Sequence, residues 1–141
     1  MTVDYEAVFG AFPAPVLVVT AGDFIVVSVN DLYLRAAGVA RADLVGKPFF
    51  EVLSKNLDDR NAAGFRALRA SWESVVALGQ RNGTELQRFD VWRNVGKPTM
   101  HFWSTANAPL KDKAGAVTHI IHELTDLTDR VNSIFFGSQP V

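Results

Sequence analysis

The fold of this chain is decided by residues 100–129, which read MHFWSTANAPLKDKAGAVTHIIHELTDLTD. Two apolar-rich runs, Thr99 to Leu110 and Ala116 to Leu124, flank a charged segment that contains a glycine, so we predict a long β-hairpin. The second run continues into Thr125 to Arg130. Hydroxyl and carboxylate side chains there can accept hydrogen bonds from backbone N–H groups where a strand ends and a helix begins. We expect the rest of the chain to pack against this hairpin.

Length and composition indicate one folded domain. The chain has 141 residues, of which 48% are apolar and 21% charged, and its formal net charge is -1. The balanced charge gives no sign of nucleic-acid or membrane-surface binding, which need clustered positive charge. The absence of cysteine excludes disulfides, thiolate nucleophiles and photochemistry that forms a bond to sulfur. No signal peptide or transmembrane run is predicted, so we expect a cytoplasmic protein or the cytoplasmic part of a larger one.

The first half of the chain predicts a short helix, a hairpin and several helical turns. Apolar residues at i, i+3, i+4 and i+7 give the first helix one apolar face, formed by Tyr5, Val8, Phe9 and Phe12. Two β-branched runs, Val16 to Thr20 and Phe24 to Val29, are separated by Gly22 and indicate buried strands. Short capped helices are predicted from there to Leu53.

The second half adds one longer helix and three strands. From Asn61 to Leu78 the apolar residues recur at helical spacing, and from Thr84 to Arg93 they alternate as in a strand. With the hairpin, this order predicts an α+β fold. It has five antiparallel strands, with short helices and one longer helix packed on one face, plus the N-terminal amphipathic helix.

The run from about Tyr5 to Arg130 resembles a PAS domain, the sensory module of bacterial histidine kinases and related signalling proteins. The residues that carry the resemblance are, in chain order, Pro13-Ala14-Pro15-Val16, Gly22-Asp23, Val29-Asn30, Leu44-Val45-Gly46-Lys47-Pro48, Phe102-Trp103-Ser104, Asn107-Ala108-Pro109-Leu110, His119-Ile120-Ile121-His122-Glu123 and Asp126-Leu127-Thr128-Asp129-Arg130. The last of these is similar to the family's Asp-Ile-Thr exit, with leucine in place of isoleucine. These segments indicate the fold but no particular ligand.

The resemblance implies a sensory or interaction domain of three parts: an N-terminal helical cap (1–15), a PAS core (16–130) and an exit segment (131–141) toward an effector in the same chain or a signalling partner. Asp126 and Thr128 would fix the end of the last strand and aim the departing segment. Gly46 would adopt a backbone conformation that strains other residues. No catalytic role is implied.

The cofactor stays unknown at this point. Flavin PAS domains of the light-oxygen-voltage type form their adduct with a cysteine before the long helix, and segment 57–60 has none. Haem-binding members commonly take a histidine from the long helix, and segment 55–80 has none. A non-covalent flavin, or haem held through another histidine, is left open.

Strand alternation predicts a ligand pocket between the inner sheet face and the helices. Its predicted lining is Val27, Val29, Leu34, Phe49, Phe65, Leu68, Phe89, Phe102, Ser104, Ile120 and His122, with Ser104 and His122 as polar contacts. The alternative is that the ten phenylalanines and three tryptophans fill this space themselves.

The histidines are interpreted mainly as structural. His119 and His122 lie three apart on a predicted strand and so point to opposite faces, which makes a shared metal site improbable. His101 is expected on the same side as Trp103. A hydrogen-bonded structural role is the favoured interpretation of His122, and contact with a ligand is the alternative.

Two further hypotheses concern partners and fold. The apolar face of the first helix, Tyr5, Val8, Phe9 and Phe12, predicts a homodimer, in which it contacts the outer sheet face or the same helix of a partner. The competing hypothesis is an enzyme or binding protein with the ketosteroid-isomerase-like cone fold, in which Asp90 or His122 would be the general base. That fold usually begins with long helices, whereas strands here begin by Val16.

Overall fold

The computed structural model describes residues 1–55, 59–88 and 101–136, which form a five-stranded sheet with helices on one face. In chain order the elements are α1 (Tyr5–Ala11), β1 (Val16–Thr20), β2 (Val26–Val29), α2 (Asp31–Ala37), α3 (Arg41–Leu44), α4 (Phe49–Ser54), α5 (Asp59–Leu78), β3 (Asn82–Arg88), β4 (Phe102–Lys111), β5 (Val117–Asp126) and α6 (Thr128–Phe136). The predicted α+β fold with an N-terminal helix is confirmed. Among these residues no helix combines the length and apolar character needed to cross a membrane.

The strands are antiparallel and follow the order β2-β1-β5-β4-β3. The predicted hairpin of β4 and β5 therefore lies at the centre, and β1 pairs with the other side of β5. The hairpin turn is stabilised by Asp112, whose Oδ1 accepts hydrogen bonds from the backbone N–H groups of Ala114 (2.9 Å) and Ala116 (3.0 Å). A short polar side chain that satisfies backbone donors makes this turn a local consequence of the sequence.

Asn30 joins the first hairpin to the helices. Its side chain accepts hydrogen bonds from the N–H of Tyr33 (3.0 Å), in the first turn of α2, and from the N–H of Val16 (3.1 Å), which begins β1. Its amide group donates to the carbonyl of Ala14 at 2.8 Å. Asn30 is buried, so these bonds replace those to water.

Gly46 connects the short helices to the edge of the sheet. Its φ is +83°, in the region that strains residues with a side chain, as predicted for this position. Its N–H donates to the carbonyl of Val26 (2.8 Å), and the N–H of Val26 donates to the carbonyl of Lys47 (3.0 Å). These two bonds attach the segment before α4 to β2.

The core is aromatic and lies between α4, α5 and the sheet. Trp72 is fully buried and packs against Phe24, Phe49 and Phe50 with ring centroids 4.8 to 5.4 Å apart. Aromatic pairs at such distances and tilted angles stabilise beyond the area that they bury. The bulk of this cluster holds the helices at a fixed distance from the sheet.

Candidate functional site

A small cavity lies between the helices and the inner sheet face. Its volume is about 80 Å³. Helices α2, α4 and α5 form one side, and strands β3, β4 and β5 form the other. The lining residues are Tyr33, Ala37, Phe49, Leu53, Gly64, Phe65, Leu68, Thr84, Trp103, Thr105 and Leu124. An apolar cavity with a few polar groups is the usual form of a small-molecule site.

The pocket residues predicted from sequence divide among the cavity wall, the core and the outer sheet face. Three line the cavity: Phe49, Phe65 and Leu68. Four lie in or against the core behind the wall: Val29, Leu34, Ile120 and His122. Phe89 falls outside the described residues. The other three, Val27, Phe102 and Ser104, require correction.

The predicted orientation of the fourth strand is wrong by one residue. Phe102 and Ser104 were expected inside, but Trp103 and Thr105 line the cavity and Asn107 is buried. Because side chains alternate along a strand, burial of Asn107 turns its even-numbered neighbours to the outer face. The alternation of apolar residues did not reveal this orientation, because the polar residue Asn107 occupies an inward position.

Val27 is also misplaced by the prediction, because its side chain is 46% exposed. The pairing of β1 with β2 shifts at this point: Val18 stands opposite Ser28, whereas Val19 stands opposite Val26. Val27 is therefore the extra residue of a bulge. The bulge lets Val26 and Val29 both face the core although they are three residues apart.

A chain of buried hydrogen bonds runs behind the cavity wall. Asn107 Oδ1 accepts from the Trp72 indole N–H (2.9 Å) and from His122 Nδ1 (2.7 Å). The Tyr33 hydroxyl donates to His122 Nε2 at 3.1 Å. We call these four residues the core network. Since Asn is uncommon in strand interiors, Asn107 was the sequence signal that could have revealed it.

The core network fixes one protonation state of His122. Because Asn107 Oδ1 receives two donors, Nδ1 carries the proton and Nε2 accepts from Tyr33. Burial lowers the pKa of His122 to about 3, and burial also raises the pKa of Tyr33 well above its usual value. Both groups therefore stay uncharged near neutral pH.

This bonding also argues against the cone-fold enzyme hypothesis. Both ring nitrogens of His122 have protein partners, so neither is free to take a proton from a substrate. Asp90, the other base in that hypothesis, lies outside the described residues. His122 takes the hydrogen-bonded structural position favoured from sequence.

At the end of β5, Asp126 and Thr128 bind the strand exit to β4. Asp126 Oδ1 accepts from the N–H of Thr128 (2.9 Å), and Thr128 Oγ1 accepts from the N–H of Phe102 (2.9 Å). The N–H of Leu127 donates to the carbonyl of Phe102 at 2.8 Å. Helix α6 thus begins at a point held by three short bonds.

His101 is the member of this exit that sequence reasoning missed. Its Nδ1 lies 3.2 Å from Asp126 Oδ2 and 3.4 Å from Thr128 Oγ1. Its ring stacks on Trp103, with centroids 5.3 Å apart and planes 19° apart, on the same side of β4 as expected. We call His101, Asp126 and Thr128 the exit cluster. Within the described chain, the buried Nε2 of His101 has no hydrogen-bond partner.

The exit cluster lowers the pKa of Asp126. Partial burial alone would raise that pKa, but hydrogen bonds from the Thr128 hydroxyl and N–H and the contact with His101 outweigh the burial. Asp126 is therefore ionised near neutral pH, and it keeps an acceptor for both His101 and the first turn of α6.

Comparisons with known proteins agree with this architecture. A family model described as "PAS fold" matches residues 9–132. No relative was found among the curated proteins.

Three solved structures illustrate the structural likeness. The PAS domain of Bordetella pertussis BvgS superposes with a TM-score of 0.64 at 20% identity, over 92% of this chain and 88% of that one. A Rhodobacter sphaeroides LOV protein gives 0.67 at 20% identity, over 93% and 72%. A sensory box sensor histidine kinase from Vibrio cholerae gives 0.57 at 13% identity, over 88% of each chain. These likenesses show the fold, and the family match over most of the chain shows that this protein belongs to the PAS fold family.

Proposed function

We propose that this PAS domain is the sensory module of a bacterial signalling protein. A small molecule in the cavity alters the packing of the wall, and the change passes through the exit cluster and α6 to an effector domain or partner protein. PAS domains are a sensor fold, and one structural neighbour is named as a sensory box of a histidine kinase. We place the module in the cytoplasm. Its effector lies beyond α6 or on a separate chain.

The observation that carries this proposal is a short series of contacts from the cavity to α6. Trp103 lines the cavity and stacks on His101. His101 in turn contacts Asp126 and Thr128, which hold the first turn of α6. A guest that moves the Trp103 ring therefore also displaces His101, which contacts the other two residues of the exit cluster.

The strand exit and α6 also have the features of a segment that changes conformation at a small cost in free energy. Ile134 of α6 is 69% exposed, so its side chain does little to hold the helix to the sheet. Among the described residues, the buried Nε2 of His101 has no hydrogen-bond partner, so a rearrangement that gives this nitrogen a partner is favourable. Local opening in proteins is drawn from segments with few buried contacts.

Occupancy of the cavity is tested by native mass spectrometry of the freshly purified chain beside an absorbance scan across the visible range. We expect a bound mass in the wild type and its loss in Leu68→Trp, whose larger ring fills the cavity. Leu110→Trp places the same ring at an exposed position of β4 and is the matched control. A bound mass that persists in Leu68→Trp contradicts the proposal.

We further propose that two copies of the chain associate through α1. The helix has no buried residue; Tyr5 is 78% and Val8 48% exposed, and Phe12 is exposed as well. A helix of seven residues is unstable alone, even with Asp4 accepting from the N–H groups of Glu6 and Ala7. Contact with the same apolar face of a second copy would supply the missing burial.

The dimer is tested by measuring molar mass in solution. Val8→Asp places a charge in the apolar face, so we expect it to shift a dimer to monomers. Ala7→Asp adds the same charge on the opposite side of α1 and should leave the dimer intact. A dimeric mass for Val8→Asp would show that α1 is not the interface.

A further inference from the structure

The cavity has room for only a small guest. Its volume is about 80 Å³, whereas an apolar cavity of about 150 Å³ in another protein holds one benzene molecule. Flavin and haem are larger than benzene, so neither fits this volume. The dimensions favour a guest with few non-hydrogen atoms.

The described wall contains no charged side chain. Seven of its eleven residues are apolar or glycine, and the polar groups belong to Tyr33, Thr84, Trp103 and Thr105. A charged guest would lose its hydration without gaining an ion pair from these residues, which is costly. The wall therefore favours an uncharged guest.

Two threonine hydroxyls at the sheet side decide the polar chemistry. Thr105 Oγ1 lies 2.7 Å from Thr84 Oγ1, and it also accepts from the N–H of Thr84 (3.1 Å) and from Asn107 Nδ2 (3.4 Å). Their contact uses one of the two hydroxyl hydrogens, whichever threonine donates, so one hydroxyl hydrogen of this threonine pair is left over.

Among the described residues, neither hydroxyl of the Thr84–Thr105 pair has a hydrogen-bond acceptor outside the pair. The other hydroxyl of the wall, on Tyr33, already donates to His122. The cavity thus presents one spare hydroxyl donor, on the Thr84–Thr105 pair, within a mostly apolar surface.

We propose that the cavity takes a small uncharged molecule with an apolar body and one carbonyl or hydroxyl oxygen that accepts a hydrogen bond from the Thr84–Thr105 hydroxyl pair. This inference rests on the proposed sensory function and names the chemical class of its ligand. A guest of this class pairs the spare donor and buries its remaining surface against Phe49, Phe65 and Leu68.

Titration of the full chain with three probes of similar size, followed by ¹H–¹⁵N NMR, tests the proposal. Acetone has the acceptor, isobutene has the same shape without it and isopropylammonium is charged. We expect acetone to bind, with shifts at the Thr84 and Thr105 amides, and isopropylammonium not to bind. The double variant Thr84→Val, Thr105→Val should weaken acetone about five- to tenfold, the factor of one hydrogen bond. It should not weaken isobutene, and the double variant Thr84→Ser, Thr105→Ser should keep the wild-type affinity.

Three results would overturn the inference. Binding of acetone that is unchanged in the folded Thr84→Val, Thr105→Val variant removes the assigned donor. A charged molecule that purifies with the wild type and is lost in Leu68→Trp overturns the ligand class but leaves the proposed function intact. Failure of every probe, with no bound mass in the wild type, overturns both.

Discussion

The core network and the exit cluster each contain a buried histidine against a tryptophan, but the two sites are built differently. His122 has a partner at both nitrogens and meets Trp72 edge to face, at 5.1 Å and 73°. Among the described residues, His101 has partners at Nδ1 only, and its ring lies flat on Trp103. A fully satisfied network holds one arrangement, whereas a partly satisfied one has a second arrangement available at low cost. The core network therefore holds a single conformation, whereas the exit cluster can change its conformation.

The largest effect is expected from His122→Ala. It leaves Tyr33 and Asn107 with unpaired polar atoms and opens a cavity in the core, so we expect the free energy of unfolding to fall by about 3 to 5 kcal/mol. Chemical denaturation measures the loss. His119→Ala, on the opposite side of β5, is the control and should cost about 0.5 kcal/mol. A similar loss of unfolding free energy in both variants would show that the bonds of His122 do not stabilise the core.

The next effect is a loss of stability in acid. The folded pKa of His122, about 3, lies below the unfolded value, so the unfolded chain binds the proton first and stability falls as pH drops below about 6.5. Between pH 7.5 and pH 5 this group alone removes about 2 kcal/mol. Denaturation of wild type and His122→Gln at both pH values measures it. An equal decline in the two proteins would contradict the assignment.

Thr128→Val tests whether the exit cluster is a separate unit from the core network. The variant removes the acceptor of the Phe102 N–H, and we expect a cost of about 1 kcal/mol. The effect should be local: hydrogen exchange should accelerate in α6 far more than at Trp72 or Ile120. Thr125→Val, at an exposed position of β5, is the matched control. Uniform acceleration across the sheet would show that the exit is not a separate unit.

Much of the fold could be predicted because its signals are local. The hairpin of β4 and β5, the turn at Asp112 and the cap at Asn30 follow from the order of apolar and turn-forming residues. The position of Gly46 follows in the same way.

The site was harder to predict because its residues depend on long-range pairing. The residues near Asn107 in sequence do not indicate that it contacts Trp72 and His122. Because Asn107 is polar, the pattern of apolar residues predicted the wrong inward face for β4. His101 likewise gains its role only when β4 and β5 bring it beside Asp126. The bulge at Val27 depends on the register of two strands, which alternation alone does not fix.

The central claim is that the cavity and α6 are coupled through His101. The direct measurement is hydrogen exchange at the Val131 amide, which donates to the Leu127 carbonyl in the first turn of α6. It is compared in wild type, Leu68→Trp, His101→Leu and the double variant. We predict that filling the cavity changes this exchange rate several-fold when His101 is present and leaves it unchanged in the His101→Leu background. An equal change in both backgrounds, or none in either while the fold is intact, would contradict the account.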